Sequence, residues 1–227
     1  MATTIKTINL GGVNCYLTTA GDGFVLIDTG FSNKRSQLVE ELKNAGCRPD
    51  NLKLIVLTHG DIDHAANAAY LRQNFHARIA MHQEDAGMVE QGNMGWNRKS
   101  RPDKISLIGS MIILLGSIST IFSPANKFEK FRPDMFLEEG QPLSDVGLDA
   151  SVLHLPGHSK GSIGILTASG DLFCGDLLWN MRKPGPHFLI DDLAAYTSSL
   201  EMLKSLNVKT VYPGHGSPFS MEKLFNA

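Results

Sequence analysis

Cysteine is scarce in this chain, and Cys15, Cys47 and Cys174 are odd in number, widely separated and without a CxxC pair. That argues against a disulfide framework and for buried thiols in a reducing compartment. Charge of either sign is also nearly absent in the balance: 21 basic and 23 acidic residues leave a net −2. No nucleic-acid partner is therefore expected, because such binding rests on Lys and Arg neutralising phosphates. Met1–Leu10 lacks an apolar core of signal-peptide length, so the expected location is cytoplasmic. Internal repeats and low-complexity segments are missing, and 227 residues suit one well-cored domain, 1–227.

What the sequence does hold is a dense set of metal-ligand side chains. Thr58-His59-Gly60-Asp61-Ile62-Asp63-His64 puts two imidazoles and two carboxylates within six residues. The mostly apolar Leu52–Leu57 before it reads as a short buried strand, and Ala65–Asn74 after it reads as a helix. Side chains at such a junction can converge on one point, and buried charges are costly unless paired or bound to a metal. The plain alternative is a polar loop with an Asp capping the next helix. Three more apolar runs weigh against it, each ending in a ligand-type residue preceded by glycine: Gly157-His158, Gly175-Asp176 and Gly214-His215. Glycine lets the backbone turn sharply and deliver the side chain over a sheet edge. The candidates are then His59, Asp61, Asp63, His64, His158, Asp176 and His215, seven in all and the inventory of a two-metal site.

In their order these segments resemble the metallo-β-lactamase-fold superfamily, whose pattern is HxHxDH, a lone His, a bridging Asp and a final His. Val25-Leu26-Ile27-Asp28-Thr29-Gly30 is similar to that family's early strand ending in a structural Asp. The resemblance covers nearly the whole chain and implies an α/β fold, a four-layer αββα sandwich. It also implies one metal site from His59, Asp61 and His158, a second from Asp63, His64 and His215, and Asp176 as the bridge. Asp63 and Asp176 would be the catalytic carboxylates. The implied cofactors are two divalent ions, zinc first, with iron or manganese as alternatives. The chain departs from the pattern at Asp61, where the family usually has its second His; an oxygen donor there shifts preference towards iron or manganese. The missing signal segment counts against a secreted antibiotic-destroying enzyme.

Strands are expected at Thr4–Leu10, Val13–Thr19 and Phe24–Asp28, separated by Gly-rich turns that favour hairpins. A helix over Asn33–Ala45 ends at Gly46. A strand at Arg78–Met81 and a helix near Gln83–Glu90 follow. Later strands fall at Ala150–Leu155, Gly164–Thr167 and Asp171–Cys174, with a helix at Leu193–Leu206, a last strand, and a terminal helix at Ser220–Phe225. Strand-rich halves with helices to cover one face suit two stacked sheets between helical layers.

An apolar helical insert is placed at about 95–130. Its Ile105–Phe122 stretch has eighteen residues without a charge, close to the ~20 needed to cross a bilayer. A single span would separate His64 from His158, which must meet, so a helical cover is expected in place of a transmembrane span. A lid over the site, a homodimer contact and a helix resting on a membrane surface all fit. The basic run Asn97–Lys104 suits an interfacial anchor or a solvated loop.

Two divalent metals about 3.5–4 Å apart can share one hydroxide and bring the pKa of its parent water towards ~7. The expected function is hydrolysis of a small ester, thioester, lactone or related acyl substrate, with the apolar insert favouring a greasy acyl group. The alternatives are a non-haem iron redox enzyme (flavodiiron-like or sulfur dioxygenase-like) and a non-catalytic metal-binding module. His76, His82 and His154 are read as structural or surface residues. His187, Trp179, Met181 and Tyr212 are read as pocket walls or ordinary packing. Ser159–Ser162 either contacts substrate or shapes its turn.

Overall fold

Strands whose neighbouring residues are all buried need cover on both faces. Val25, Leu26 and Ile27 are such a run, as are Leu54, Ile55 and Val56, and Ile79, Ala80 and Met81. The computed structural model describes residues 3–105 and 129–225 and shows what covers them. One sheet has β1 (Ile5–Asn9), β2 (Asn14–Ala20), β3 (Gly23–Ile27), β4 (Leu52–Val56) and β5 (Arg78–Met81) side by side in that order. The two-residue β6 (Lys104–Ile105) lies elsewhere, and β7 (Met135–Phe136) closes the far edge. The first three strands pair antiparallel and the rest parallel.

The second sheet uses β8 (Ala150–His154), β9 (Ile163–Thr167) and β10 (Asp171–Asn180). The short β11 (Gly185–Pro186) pairs with β10, and β12 (Leu189–Ile190) pairs with β6. Adding β13 (Thr210–Gly216) and β14 (Phe219–Ser220) gives the order β14-β13-β10-β9-β8. Helices are α1 (Arg35–Asn44), α2 (Ile62–Ala65), α3 (Ala68–Phe75), α4 (Gln83–Gln91), α5 (Leu193–Ser205) and α6 (Glu222–Phe225).

Period-two alternation sorts the strand residues into three apolar layers. Leu26, Ile55 and Ile79 pack with Leu38, Leu42, Leu71 and Phe75 of α1 and α3. On the opposite face Val25, Ile27, Leu54 and Val56 meet Val152, Ile165 and Phe173 of the second sheet. The outer face of that sheet, with Leu153, Leu172 and Cys174, is covered by Tyr196 and Leu203 of α5. Helix, sheet, sheet and helix follow in order, which is the αββα sandwich.

Some boundaries differ from the sequence expectation. The helix over Ala65–Asn74 is split into α2 and α3, which begins α2 at Ile62 and puts Asp63 and His64 on its first turn. The strand expected to stop at Cys174 continues to Asn180, so Asp176 lies inside β10. Register shifts on either side of Gly175, which has φ +50°, let the strand kink there without ending. Among residues 95–105 the structure has turns and β6 where a helical insert was expected. Most of Ile105–Phe122 lies outside the described residues. Among the described residues no helix is long and apolar enough to cross a membrane. All three cysteines are buried free thiols.

Candidate metal centre

The seven predicted ligands meet at one end of the sandwich. His59 and Asp61 lie in the loop after β4, Asp63 and His64 on α2, His158 just past β8, Asp176 within β10 and His215 near the end of β13. Parallel pairing of β10 with β13 sets Gly175 opposite Pro213, which brings Asp176 beside His215. The approach is close enough that a Cβ at Gly214 would collide with Asp176 Oδ1 and lie 2.8 Å from His64 Cε1. Only glycine fits there.

Asp176 is the hub. Its Oδ1 is 3.5 Å from His64 Nε2, and its Oδ2 is 3.3 Å from His215 Nε2, 3.8 Å from His158 Nε2 and 3.9 Å from His59 Nε2. His59, His158 and Asp176 each offer an atom within 4.8 Å of the others, and so do Asp63, His64 and His215. These are two adjacent ligand clusters with a carboxylate between them.

Each imidazole is aimed by a bond at its other nitrogen, the usual way of fixing tautomer and orientation at a metal site. His64 Nδ1 is 2.9 Å from Asp28 Oδ2, His215 Nδ1 is 2.8 Å from the Gly12 carbonyl, and His158 Nδ1 is 3.1 Å from that of Leu189. His59 Nδ1 is 3.0 Å from Thr58 Oγ1, which itself donates to Asp28 Oδ2 at 2.8 Å. Asp28 thus orients one imidazole directly and another through Thr58.

Asp61 occupies the N-cap position of α2 but caps nothing. Its Oδ2 lies 2.9 Å from His158 Nε2 and 3.4 Å from His59 Nε2. Arg98 Nη2 donates to both its oxygens, at 3.0 and 2.9 Å. Burial disfavours its charge, but the Arg98 guanidinium and the two imidazoles hold its carboxyl well below the usual range. Arg98 belongs to the basic run that the sequence assigned to an anchor or a solvated loop. It is instead folded into the centre, and nothing local to Asn97–Lys104 signals that partner.

His187 is the second residue of this kind. It is buried, with Nε2 3.3 Å from Asp176 Oδ2, and forms a third cluster with Asp176 and His215. Burial, reinforced by His158 and His215 against the pull of Asp176, lowers its pKa to about 3, so the neutral imidazole keeps a lone pair on one ring nitrogen. Trp179 packs against it at 5.6 Å between ring centroids, as a wall residue would. Tyr212 does not line the site: it packs on Tyr16 and Phe173 between the sheets, because its place in β13 turns it towards the inner core. Met181 is exposed. His154 stacks on His82 and its Nε2 is 2.8 Å from the Lys160 carbonyl, while exposed His76 pairs with Asp50; none joins the centre.

Asp85, on the first turn of α4, is buried and ties together the two loops that carry His59 and His158. It accepts from the Gly60 N–H at 3.2 Å, the Ser159 hydroxyl at 2.6 Å and the Gly161 N–H at 2.8 Å. Ser159 and Ser162 therefore shape their turn. Asp85→Ala leaves three buried donors without their acceptor and is expected to cost about 3 kcal/mol of stability, read as a lowered denaturant midpoint. An unchanged midpoint would show that the loops are held otherwise.

Protonation competes with metal at this centre. Burial disfavours a charged imidazole, but the carboxylates of Asp176, Asp63 and Asp28 outweigh it at His64 and raise its pKa to about 10. His215 shifts upward as well, its burial outweighed by Asp176 and Asp63. Both therefore carry a proton near pH 7 until a cation takes the lone pair. Divalent-ion uptake is expected to release at least about one proton and to weaken as pH falls. Calorimetry of metal binding in buffers of different ionisation enthalpy checks this, and a heat independent of the buffer would refute it.

Comparison with known proteins agrees with this geometry. A family model described as the metallo-beta-lactamase superfamily matches residues 8–215. The hydroxyacylglutathione hydrolase GloC of Haemophilus influenzae is 29% identical over 85% of this chain and 79% of its own length. The acyl-coenzyme A thioesterase MBLAC2 of Bos taurus is 26% identical, over 93% of this chain and 76% of its own length. Among solved structures, the BLEG-1 B3 metallo-beta-lactamase superposes with a TM-score of 0.73 at 22% identity, covering 99% of this chain and 97% of that one. TTHA1623 in a di-iron-bound form gives a TM-score of 0.65 at 27% identity, covering 96% and 95%. With the family model matched along almost the full length of the chain and the candidate ligands gathered around Asp176, the chain belongs to the metallo-β-lactamase superfamily.

Proposed function

We propose that this metallohydrolase cleaves an acyl bond, preferably a thioester, at a two-cation centre. One cation would be held by His59, Asp61 and His158, the other by Asp63, His64 and His215, with Asp176 between them. The observation that carries this is a set of buried polar atoms aimed at one volume. His59 Nε2, His64 Nε2 and Asp176 Oδ1 have no hydrogen-bond partner among the described residues. Such atoms are expensive to bury unless something meets them, and three imidazole or carboxylate donors per side suit a divalent cation.

Divalent cations bound there supply a nucleophilic water at neutral pH and polarise the acyl carbonyl. The chain's own residues do the rest. The Nδ1 anchors hold the imidazoles in the ligating orientation. Asp176, fully enclosed, balances positive charge. Asp63 has a side chain 20% exposed and so can pass a proton to solvent or to the leaving group. In the net reaction water adds to the acyl carbon, the C–S bond breaks, the acyl group leaves as a carboxylate, one of the water's protons goes to the sulfur, which leaves as a thiol, and the other is released to solvent. The relatives named as hydroxyacylglutathione hydrolase and acyl-coenzyme A thioesterase support a thiol-linked substrate over a lactone or simple ester. The small-molecule substrate and the cytoplasmic setting belong to the same proposal.

Zinc is the first expectation for the metal. Iron has its own support in the hard oxygen of Asp61 and in the similarity to a protein solved in a di-iron-bound form. A redox role is the second reading, and it would need an electron-donating partner. A panel of thioesters, oxygen esters and lactones, run with and without chelator, separates the two. Thioester hydrolysis should fall at least about 10²-fold on chelation and return with metal. Oxygen consumption without hydrolysis of any of the three would overturn the hydrolase assignment.

A further inference from the structure

We propose that His187 is an eighth ligand of the centre and supplies, from the far end of the chain, the imidazole missing at position 61. The proposal rests on the two-cation reading above and deepens it. Five histidines, not four, aim Nε2 at the Asp176 carboxylate, all within 3.9 Å of one of its oxygens. His187 is among the nearest, at 3.3 Å. Its Nδ1 faces the backbone of Leu189, 3.4 Å from both N–H and carbonyl, as the Nδ1 atoms of the other four face their anchors. Its Nε2 is buried and, like those of His59 and His64, without a hydrogen-bond partner among the described residues. A core histidine kept for packing would be expected to satisfy that nitrogen.

Which cation it serves follows from its place among the rings. His187 faces Oδ2, the oxygen turned to His59, His158 and His215, whereas His64 faces Oδ1. Its ring packs edge-on against His158 at 4.8 Å, nearer than its stack on His215 at 5.6 Å. Meanwhile Asp61, next to His59 and His158, shares both its oxygens with Arg98. An engaged carboxylate is a weaker donor than a free one. His59, His158 and His187 together restore three imidazoles on that side, with Asp61, shared with Arg98, as the weaker fourth donor.

The test is cobalt(II) reconstitution of the full chain, read by metal content and by proton NMR. Each ligating histidine contributes one exchangeable, strongly shifted ring N–H signal. Five such signals are expected for the wild type and four for His187→Ala, which should also bind its first-side cobalt at least about 10-fold more weakly. His187→Gln, closer in size, should likewise lose one signal, and the wild-type count stands even if a variant fails to fold. Asp61→Asn should keep all five. Four signals in the wild type, with two cobalt ions bound, would overturn the role of His187 and leave the two-cation reading intact. A wild type that takes up no cobalt while His59→Ala behaves identically would overturn both.

Discussion

Asp176→Ala is expected to strip both cations together and to lower kcat/KM by about 10⁴-fold or more, the scale of losing a group that acts as part of a unit. The reason is geometric. Among the described residues, Asp176 is the one carboxylate within 4 Å of imidazoles from both clusters, with His64 on Oδ1 and His59, His158 and His215 on Oδ2. Burial alone would raise its pKa, yet the imidazoles around it, His215 foremost, hold the carboxyl well below the usual range. Removing that charge leaves two cations to repel one another with no carboxylate between them. Metal content of the purified variant decides the matter. Loss of one ion with the other retained would show that Asp176 belongs to a single site.

The second large effect is expected at a residue that touches no substrate. Asp28 accepts from the Thr58 N–H and hydroxyl, each at 2.8 Å, and from His64 Nδ1. Asp28→Ala removes the acceptor that fixes His64 and, through Thr58, His59. Metal affinity should fall by about 10–100-fold, with about 3 kcal/mol of stability lost from the unsatisfied buried donors. Asp28 also sits at φ +59°, where Asp and Asn are tolerated better than Ala. Asp28→Asn therefore separates the causes: it keeps the backbone preference and the shape but loses the charge. If Asn binds metal as the wild type does, Asp28 acts through shape alone.

The cluster of candidate ligands was legible in the sequence because each is announced within a few residues of itself. A cluster at a strand-to-helix junction and a glycine before His158, Asp176 and His215 are local signals. Their outcome depends on sheet pairing, but the pattern does not. The layered fold was legible for the same reason, since adjacent apolar residues such as Leu54 and Ile55 already demand cover on both faces. Arg98, His187 and Asp85 were not legible in these roles. Arg98 reaches Asp61 across 37 positions, and Asp85 reaches Gly161 across 76. Nothing in their own neighbourhoods marks those partners. Tyr212 was left open between pocket wall and packing because facing inward or outward in β13 is set by its register on β10, a non-local quantity. Asp176 was put at a strand end because Gly175 reads as a terminator, whereas here the strand bends through it.

Two cations are expected on either side of Asp176. Crystals grown with zinc, iron or manganese, with diffraction collected on both sides of the metal's absorption edge, test it most directly. Two anomalous peaks are expected flanking the Asp176 carboxylate, one beside His59 and His158 and the other beside Asp63, His64 and His215. A single peak, or peaks remote from Asp176, would contradict it.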